Sequence, residues 1–171
     1  MLTRHFPIAA LCVLLFFSLG AGGALLAEQV AFPQAQPRFT LDVPEGWQAE
    51  FRAETLTLRP KAVEGFTVEI KAEAAASDDA LKELATRTAA ELKLANPEIG
   101  TPAKAENQHG VAQTVLTSRA NGGEFALTLV AFTLGGQQFV ARSAGTAELN
   151  KKHAMDFLSV ADSIKPVAVA K

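Results

Sequence analysis

Two hydrophobic periods divide the chain. In "RFTLDVP" Phe39, Leu41 and Val43 alternate with Thr40 and Asp42, the period-two pattern of a strand with one wet face. "WQAEF" resumes the alternation through Trp47, Ala49 and Phe51, and "TLTLRP" continues it with Leu56 and Leu58. "FTVEIKAEA" sets Phe66, Val68, Ile70 and Ala72 against Thr67, Glu69, Lys71 and Glu73. These four segments predict an antiparallel meander. Between the first two, "PEGW" predicts a type I turn, with Pro44 at its second position and Gly46 at its fourth. Trp47 is in phase with Ala49 and Phe51, so it reads as a core anchor of the first hairpin rather than an exposed aromatic platform.

From Ser77 to Asn96 the period lengthens. Leu81, Leu84, Ala85, Thr88 and Leu92 recur at helical spacing, Ser77 or Asp78 caps the start, and Asn96-Pro97 closes it. Strands then return. "AKAEN" and "VAQTVLTSRA" flank a turn at Gln108-His109-Gly110, and Asn121-Gly122-Gly123 marks the next. "EFALTLVAFTL" is apolar almost throughout, which predicts a central strand buried on both faces. Gly135-Gly136 turns it into "QQFVARSAG". The closing segment "AELNKKHAMDFLSVADSIK" is helical, with Ala154, Phe157, Leu158, Ala161 and Ile164 on one stripe and Pro166 ending it. The predicted fold is α+β, an α/β/α sandwich whose mainly antiparallel central sheet of about six to eight strands is covered by two main helices.

The ends follow different rules. Pro7 to Ala27 carries no charge, "IAALCVLLFFSL" has the length of a signal-peptide apolar core, and "GAGGALLA" supplies small residues for cleavage. Residues 1–27 therefore read as a signal peptide, with an uncleaved anchor over residues 8–27 as the alternative; either places the remainder outside the cytoplasm, periplasmic or extracellular. Residues 28–37, with two prolines, read as a flexible linker, 38–167 as the domain, and 168–171 as a tail. Cys12, the single cysteine, lies inside the apolar run with Leu11 before it, the wrong place for lipid attachment, so disulfide and thiol chemistry are excluded from the domain.

The 16 basic and 18 acidic residues are interspersed; loss of residues 1–27 removes Arg4 and leaves 15 against 18. That balance excludes nucleic acid as a partner and gives no electrostatic membrane patch. Candidate chemistry is sparse. His109 lies in a turn and His153 on a helix after two lysines; both read as solvated, and a zinc site lacks a third ligand. Asp78-Asp79 complement a helix start. Ser143, in "ARSAG", lacks the glycine of a nucleophile elbow, and Ser118 and Ser163 have no histidine nearby in sequence. Arg59, Arg119 and Arg142 form a candidate carboxylate- or phosphate-binding face, or simply the outward residues of strands. The glycine pairs 122–123 and 135–136 sit between strands and read as hairpin turns. No catalytic, cofactor or metal residue is predicted, and Pro44, Gly46 and Trp47 are assigned structural roles.

A strand running into "DVPEGW", a helix after the fourth strand, a long central hairpin and a last helix ending "FLSVADSIK" together resemble the PsbP-like fold, and within it the DcrB-like group of bacterial exported proteins. The resemblance spans about Arg38 to Lys165. It implies a mostly non-catalytic family of photosystem accessory subunits, a Ran-binding protein and secretion-system chaperones that hold apolar helices, with no catalytic residue to carry over. The function it implies is a non-enzymatic exported accessory protein that recognises an envelope protein; the alternatives are a chaperone or carrier sheltering an apolar segment or lipid and, last, a hydrolase with a non-local site.

Overall fold

The computed structural model describes residues 28–75 and 77–167. Eleven strands and two helices form two sheets among these residues. The small sheet has the order β1-β2-β11, from β1 (Glu28–Phe32), β2 (Phe39–Val43) and β11 (Lys165–Pro166). The large sheet comprises β3 (Trp47–Arg52), β4 (Thr55–Pro60), β5 (Thr67–Ala72), β6 (Glu98–Ile99), β7 (Ala103–Glu106), β8 (Ala112–Ala120), β9 (Phe125–Leu134) and β10 (Gln137–Thr146). Its order is β3-β4-β5-β10-β9-β8-β6, with β7 also paired to β8, and every pairing is antiparallel.

The nearly unbroken apolar run of β9 does take a central place. Leu127, Leu129 and Ala131 face the helix α1 (Asp78–Glu91), while Val130 and Phe132 face the opposite layer. That opposite layer is the helix α2 (Ala147–Ser163) together with the small sheet, so the architecture is an α/β/α sandwich with a second sheet beside one helix. Phe39 of the small sheet meets Phe132 and Phe139 edge-on at 5.4 and 5.1 Å, and Phe32 meets Phe139 at 6.3 Å. Burial of each such ring contributes about 1.5–3 kcal/mol, and edge-to-face pairs add about 0.5–1.5 kcal/mol.

Four expectations change. Residues 28–32 are not part of a flexible linker: Val30 and Phe32 alternate inward, and β1 pairs with β2 from Glu28–Val43 to Phe32–Phe39. Pro33 follows the strand rather than interrupting it, so it removes no ladder donor. The predicted four-strand meander is three strands, because β2 belongs to the other sheet. The turn is also displaced by one residue. Trp47 N–H donates to Pro44 O at 3.1 Å, which puts Pro44 first and Gly46 third. With Gly46 at φ 75° and Glu45 at ordinary φ, this is the type II pattern, which requires a residue free to adopt positive φ. The turn therefore carries the chain between sheets and does not close a hairpin.

Helix α1 starts where predicted: the Ser77 side chain accepts the Ala80 N–H at 3.1 Å. It stops five residues before Asn96, however. Lys93 takes φ 55°, its N–H reaches Ala90 O, and Leu94 N–H reaches Ala89 O, the paired bonds of a Schellman ending. Leu92 is thereby left exposed.

Candidate functional site

Helix α2 begins at Thr146, whose hydroxyl accepts the Leu149 N–H at 3.2 Å, and crosses β9 and β10. Its buried stripe is His153, Phe157, Val160 and Ala161, continued by Ile164. The predicted stripe is right at Phe157, Ala161 and Ile164, which are buried, and misplaced at its other edge. Ala154 is exposed, Leu158 is 46% exposed and Met155 is 72% exposed. The small sheet packs beside α2, so the helix turns its other flank towards β8 without covering that strand.

The uncovered surface has a definite pattern. Three rows run across β8, β9 and β10 in register on the α2 side. The first is Val115-Val130-Ala141, the second Thr117-Thr128-Ser143, and the third Arg119-Ala126-Gly145. The apolar first row packs into the core. Beyond it Thr117 and Arg119 are exposed, and a cavity of about 560 Å³ opens between the N-terminal half of α2 and the sheet. Small residues make the room: Ala126 on the strand side, Ala147 and Ala154 on the helix. Phe66, Phe157 and Leu158 form apolar wall, and Arg119 and Lys151 stand at its polar side. Among the described residues no Asp or Glu lines it.

Asn150 holds the closed end. Its Nδ2 donates to Ala126 O and Gly145 O, both at 3.0 Å, and its Oδ1 accepts from the Ser143 hydroxyl at 3.2 Å. Gly145 is required here, because a Cβ would lie 2.9 Å from Gly65 O and 3.1 Å from the Phe66 ring. Towards the C-terminus of α2 a shallower hollow of about 330 Å³ lies between Met155, Leu158 and Ser159 and the strands carrying Ala105 and Val115.

The other candidates fall elsewhere. Trp47 is 5% exposed and meets Phe66 edge-on at 5.9 Å and His153 at 5.7 Å. His153, expected in solvent, is buried: it stacks on Phe66 at 5.2 Å, and its Nδ1 lies 2.9 Å from Asp156 Oδ2. The helical azimuth that exposes Met155 is what turns His153 inward. His109 stays in the β7–β8 turn, where its N–H donates to Asn107 Oδ1. Among the described residues no three His, Cys, Asp or Glu side chains cluster as a metal site. Asp78 pairs with Lys104 at 2.6 Å, and Asp79 lies 3.9 Å from Lys82.

The three arginines separate. Arg59 pairs with Glu50, and Arg142 with Glu69 and, at 3.8 Å, Glu91 of α1, all on the α1 side of the large sheet, the face opposite the cavity. Glu50 also accepts from Arg52 Nε at 2.6 Å; that hydrogen bond is the main cause holding its carboxyl below the usual range, with the charges of Arg52 and Arg59 adding to it. Only Arg119 lines the cavity. Ser143 lies in the cavity floor, Ser163 accepts the Asp42 N–H at 2.9 Å, and the Ser118 hydroxyl is buried without a partner among the described residues. Lys151 and Asn150 were missed by the sequence reading. Their spacing from Ala147 and Ala154 marks one flank of α2, visible only once the buried stripe is assigned correctly.

The geometry can be set beside known proteins. No protein-family model and no curated protein matches the chain. Solved structures do. The solution structure of cyanobacterial PsbP (CyanoP) from Synechocystis sp. PCC 6803 superposes with a TM-score of 0.63 at 13% identity, over 87% of this chain and 99% of that one. The fold is PsbP-like. A Pseudomonas aeruginosa protein of unknown function gives a TM-score of 0.48 at 15% identity, over 84% of this chain and 99% of its own. A Bacteroides thetaiotaomicron protein gives 0.46 at 13% identity, over 86% and 51% respectively. The PsbP-like frame is thus an antiparallel sheet between α1 and α2, with the cavity on the α2 side. No helix among the described residues is long and apolar enough to cross a membrane.

Proposed function

We propose that this protein is a non-enzymatic, exported binding protein of the cell envelope, of the DcrB-like group, and that it acts by recognising a partner protein along α2. The observation that carries this reading is the outward flank of α2. Met155 and Leu158 face water over an uncovered part of the sheet, next to the hollow bounded by Ala105 and Val115. Continuous exposed apolar surface bordered by polar residues is the usual form of a recognition site. The uncharged run of residues 7–27 supports export. The His153–Asp156 pair has no serine beside it among the hydrogen bonds of the described residues, and His109 lies in a separate turn, which supports a role without catalysis.

Placement of a photo-crosslinking amino acid at Met155 in cells tests this reading. One recurrent envelope protein, absent from a control with the crosslinker at Gln48 on the wet sheet face, is the expected product. Equal capture at both positions overturns it. Capture of many unrelated apolar membrane segments at Met155 alone favours the second reading, a carrier, for which the 560 Å³ cavity is the specific support.

A further inference from the structure

We infer that the cavity at the N-terminal half of α2 binds a single-chain amphipathic anion, of which a medium-chain carboxylate is the simplest example. The inference gives the carrier reading a ligand class and is independent of the partner surface at Met155.

Size comes first. At about 560 Å³ the cavity lies within the ~300–1,000 Å³ range of small-ligand sites, several times a lone carboxylate or phosphate group. Its walls are unequal. Phe66, Phe157, Leu158 and Ala154 form an apolar side that accepts a hydrocarbon chain, whose burial is the favourable term. The opposite side holds Arg119, Lys151 and the hydroxyl row Thr117-Thr128-Ser143.

Charge then selects the head group. Arg119 and Lys151 are the only ionisable residues in the lining, and neither is ion-paired among the described residues. Arg59 and Arg142, on the opposite face of the sheet, are both neutralised by glutamate. A cation is disfavoured at this site and an anion has two partners.

The floor supplies the remaining donor. Ser143 spends its proton on Asn150, whereas Thr117 and Thr128 lie 3.4 Å apart, so one hydroxyl donates to the other and leaves a proton free for a ligand oxygen. An anion held by guanidinium, ammonium and hydroxyl, with its chain against Phe66 and Phe157, gives each of these three groups an acceptor.

Calorimetric titration of the full chain with decanoate, below its micelle concentration, tests the inference. Decyltrimethylammonium, with the same chain and the opposite charge, and acetate, with the head group alone, are the comparisons. Saturable binding of one decanoate is expected, with both comparisons at least about tenfold weaker, decyltrimethylammonium because it forfeits the charge-assisted hydrogen bonds and acetate because it buries no chain. The variant R119Q/K151Q changes two exposed side chains, and circular dichroism verifies its fold; it loses about tenfold or more in decanoate affinity. Ala154→Trp, which fills the cavity from the exposed flank of α2, abolishes binding.

Trp47 contacts Phe66, so its fluorescence reports occupancy without tyrosine interference, the chain having no tyrosine. Absence of saturable decanoate binding, equal binding of the cation, or unchanged affinity in R119Q/K151Q each overturns the inference. None of these results alters the outcome of crosslinking at Met155, so the two readings fail separately.

Discussion

Truncation of Asn107 to alanine tests how the β7–β8 hairpin holds α2. Asn107 is 6% exposed and its amide makes four hydrogen bonds. Nδ2 donates to Ile164 O at 2.8 Å and to Ala161 O at 3.3 Å, satisfying carbonyls that the end of a helix leaves without partners. Oδ1 accepts the N–H groups of His109 and Val111, both at 3.0 Å. Ala161 O keeps a second donor, Gln113 Nε2 at 2.8 Å, and the His109 N–H is partly exposed. Two groups are therefore stranded, Ile164 O and Val111 N–H, on residues buried to 0% and 4% exposure.

Each buried unsatisfied group costs about 1–3 kcal/mol, so Asn107→Ala should lose about 2–6 kcal/mol. Urea unfolding followed by Trp47 fluorescence measures this as a lower midpoint at unchanged slope. Gln113→Ala alone should lose only about 1 kcal/mol, because Asn107 still reaches Ala161 O. The double variant should lose more than the sum, since that carbonyl then has no donor. A loss below about 1 kcal/mol for Asn107→Ala, or strict additivity in the double variant, refutes the assignment of this amide as the clamp on α2.

Three further outcomes follow from particular contacts. Gly100→Ala places a Cβ 2.1 Å from the backbone oxygen of Thr117, so it should cost about 1–3 kcal/mol, at the upper end because backbone must move, and weaken hydrogen-exchange protection along β6–β8. His153→Phe should change the urea midpoint by less than the equivalent of about 1.5 kcal/mol, because Trp47 and Phe66 already form an aromatic site, the buried Nε2 has no partner among the described residues, and the Nδ1 contact that is lost is to the half-exposed Asp156. His153→Asp should cost about 3 kcal/mol or more by burying an unpaired charge. Arg52→Ala should raise the Glu50 titration midpoint, followed by NMR, back towards the ordinary carboxylate range. The sign for stability is also determined. A folded-state pKa below the unfolded one gives stability at pH values above the unfolded pKa, lost as the pH falls through the folded one.

Most of the large sheet was legible because its signals are local. Period-two alternation in β4 and β5, the unbroken apolar run of β9 and the glycine pairs of the hairpins each mark an element within a few residues. The side of the cavity floor was legible in part: Arg119 was a candidate, but its separation from Arg59 and Arg142 depends on where Glu50 and Glu69 lie, which involves partners up to 73 residues apart.

The sequence by itself determined the two helices, the strand directions and the wet face of β3–β5, because hydrophobic period and turn chemistry act over neighbouring residues. Only the tertiary structure decided that β1 and β2 leave the meander, that His153 faces inward while Met155 and Leu158 face out, and that small residues at 126, 147 and 154 line a cavity. A helix with apolar residues on more than half its circumference has several possible azimuths, and the period alone does not choose among them. The small sheet bears on the choice: its phenylalanines cover one side of the large sheet beside α2, while Trp47 and Phe66 receive His153 and the flank towards β8 stays open.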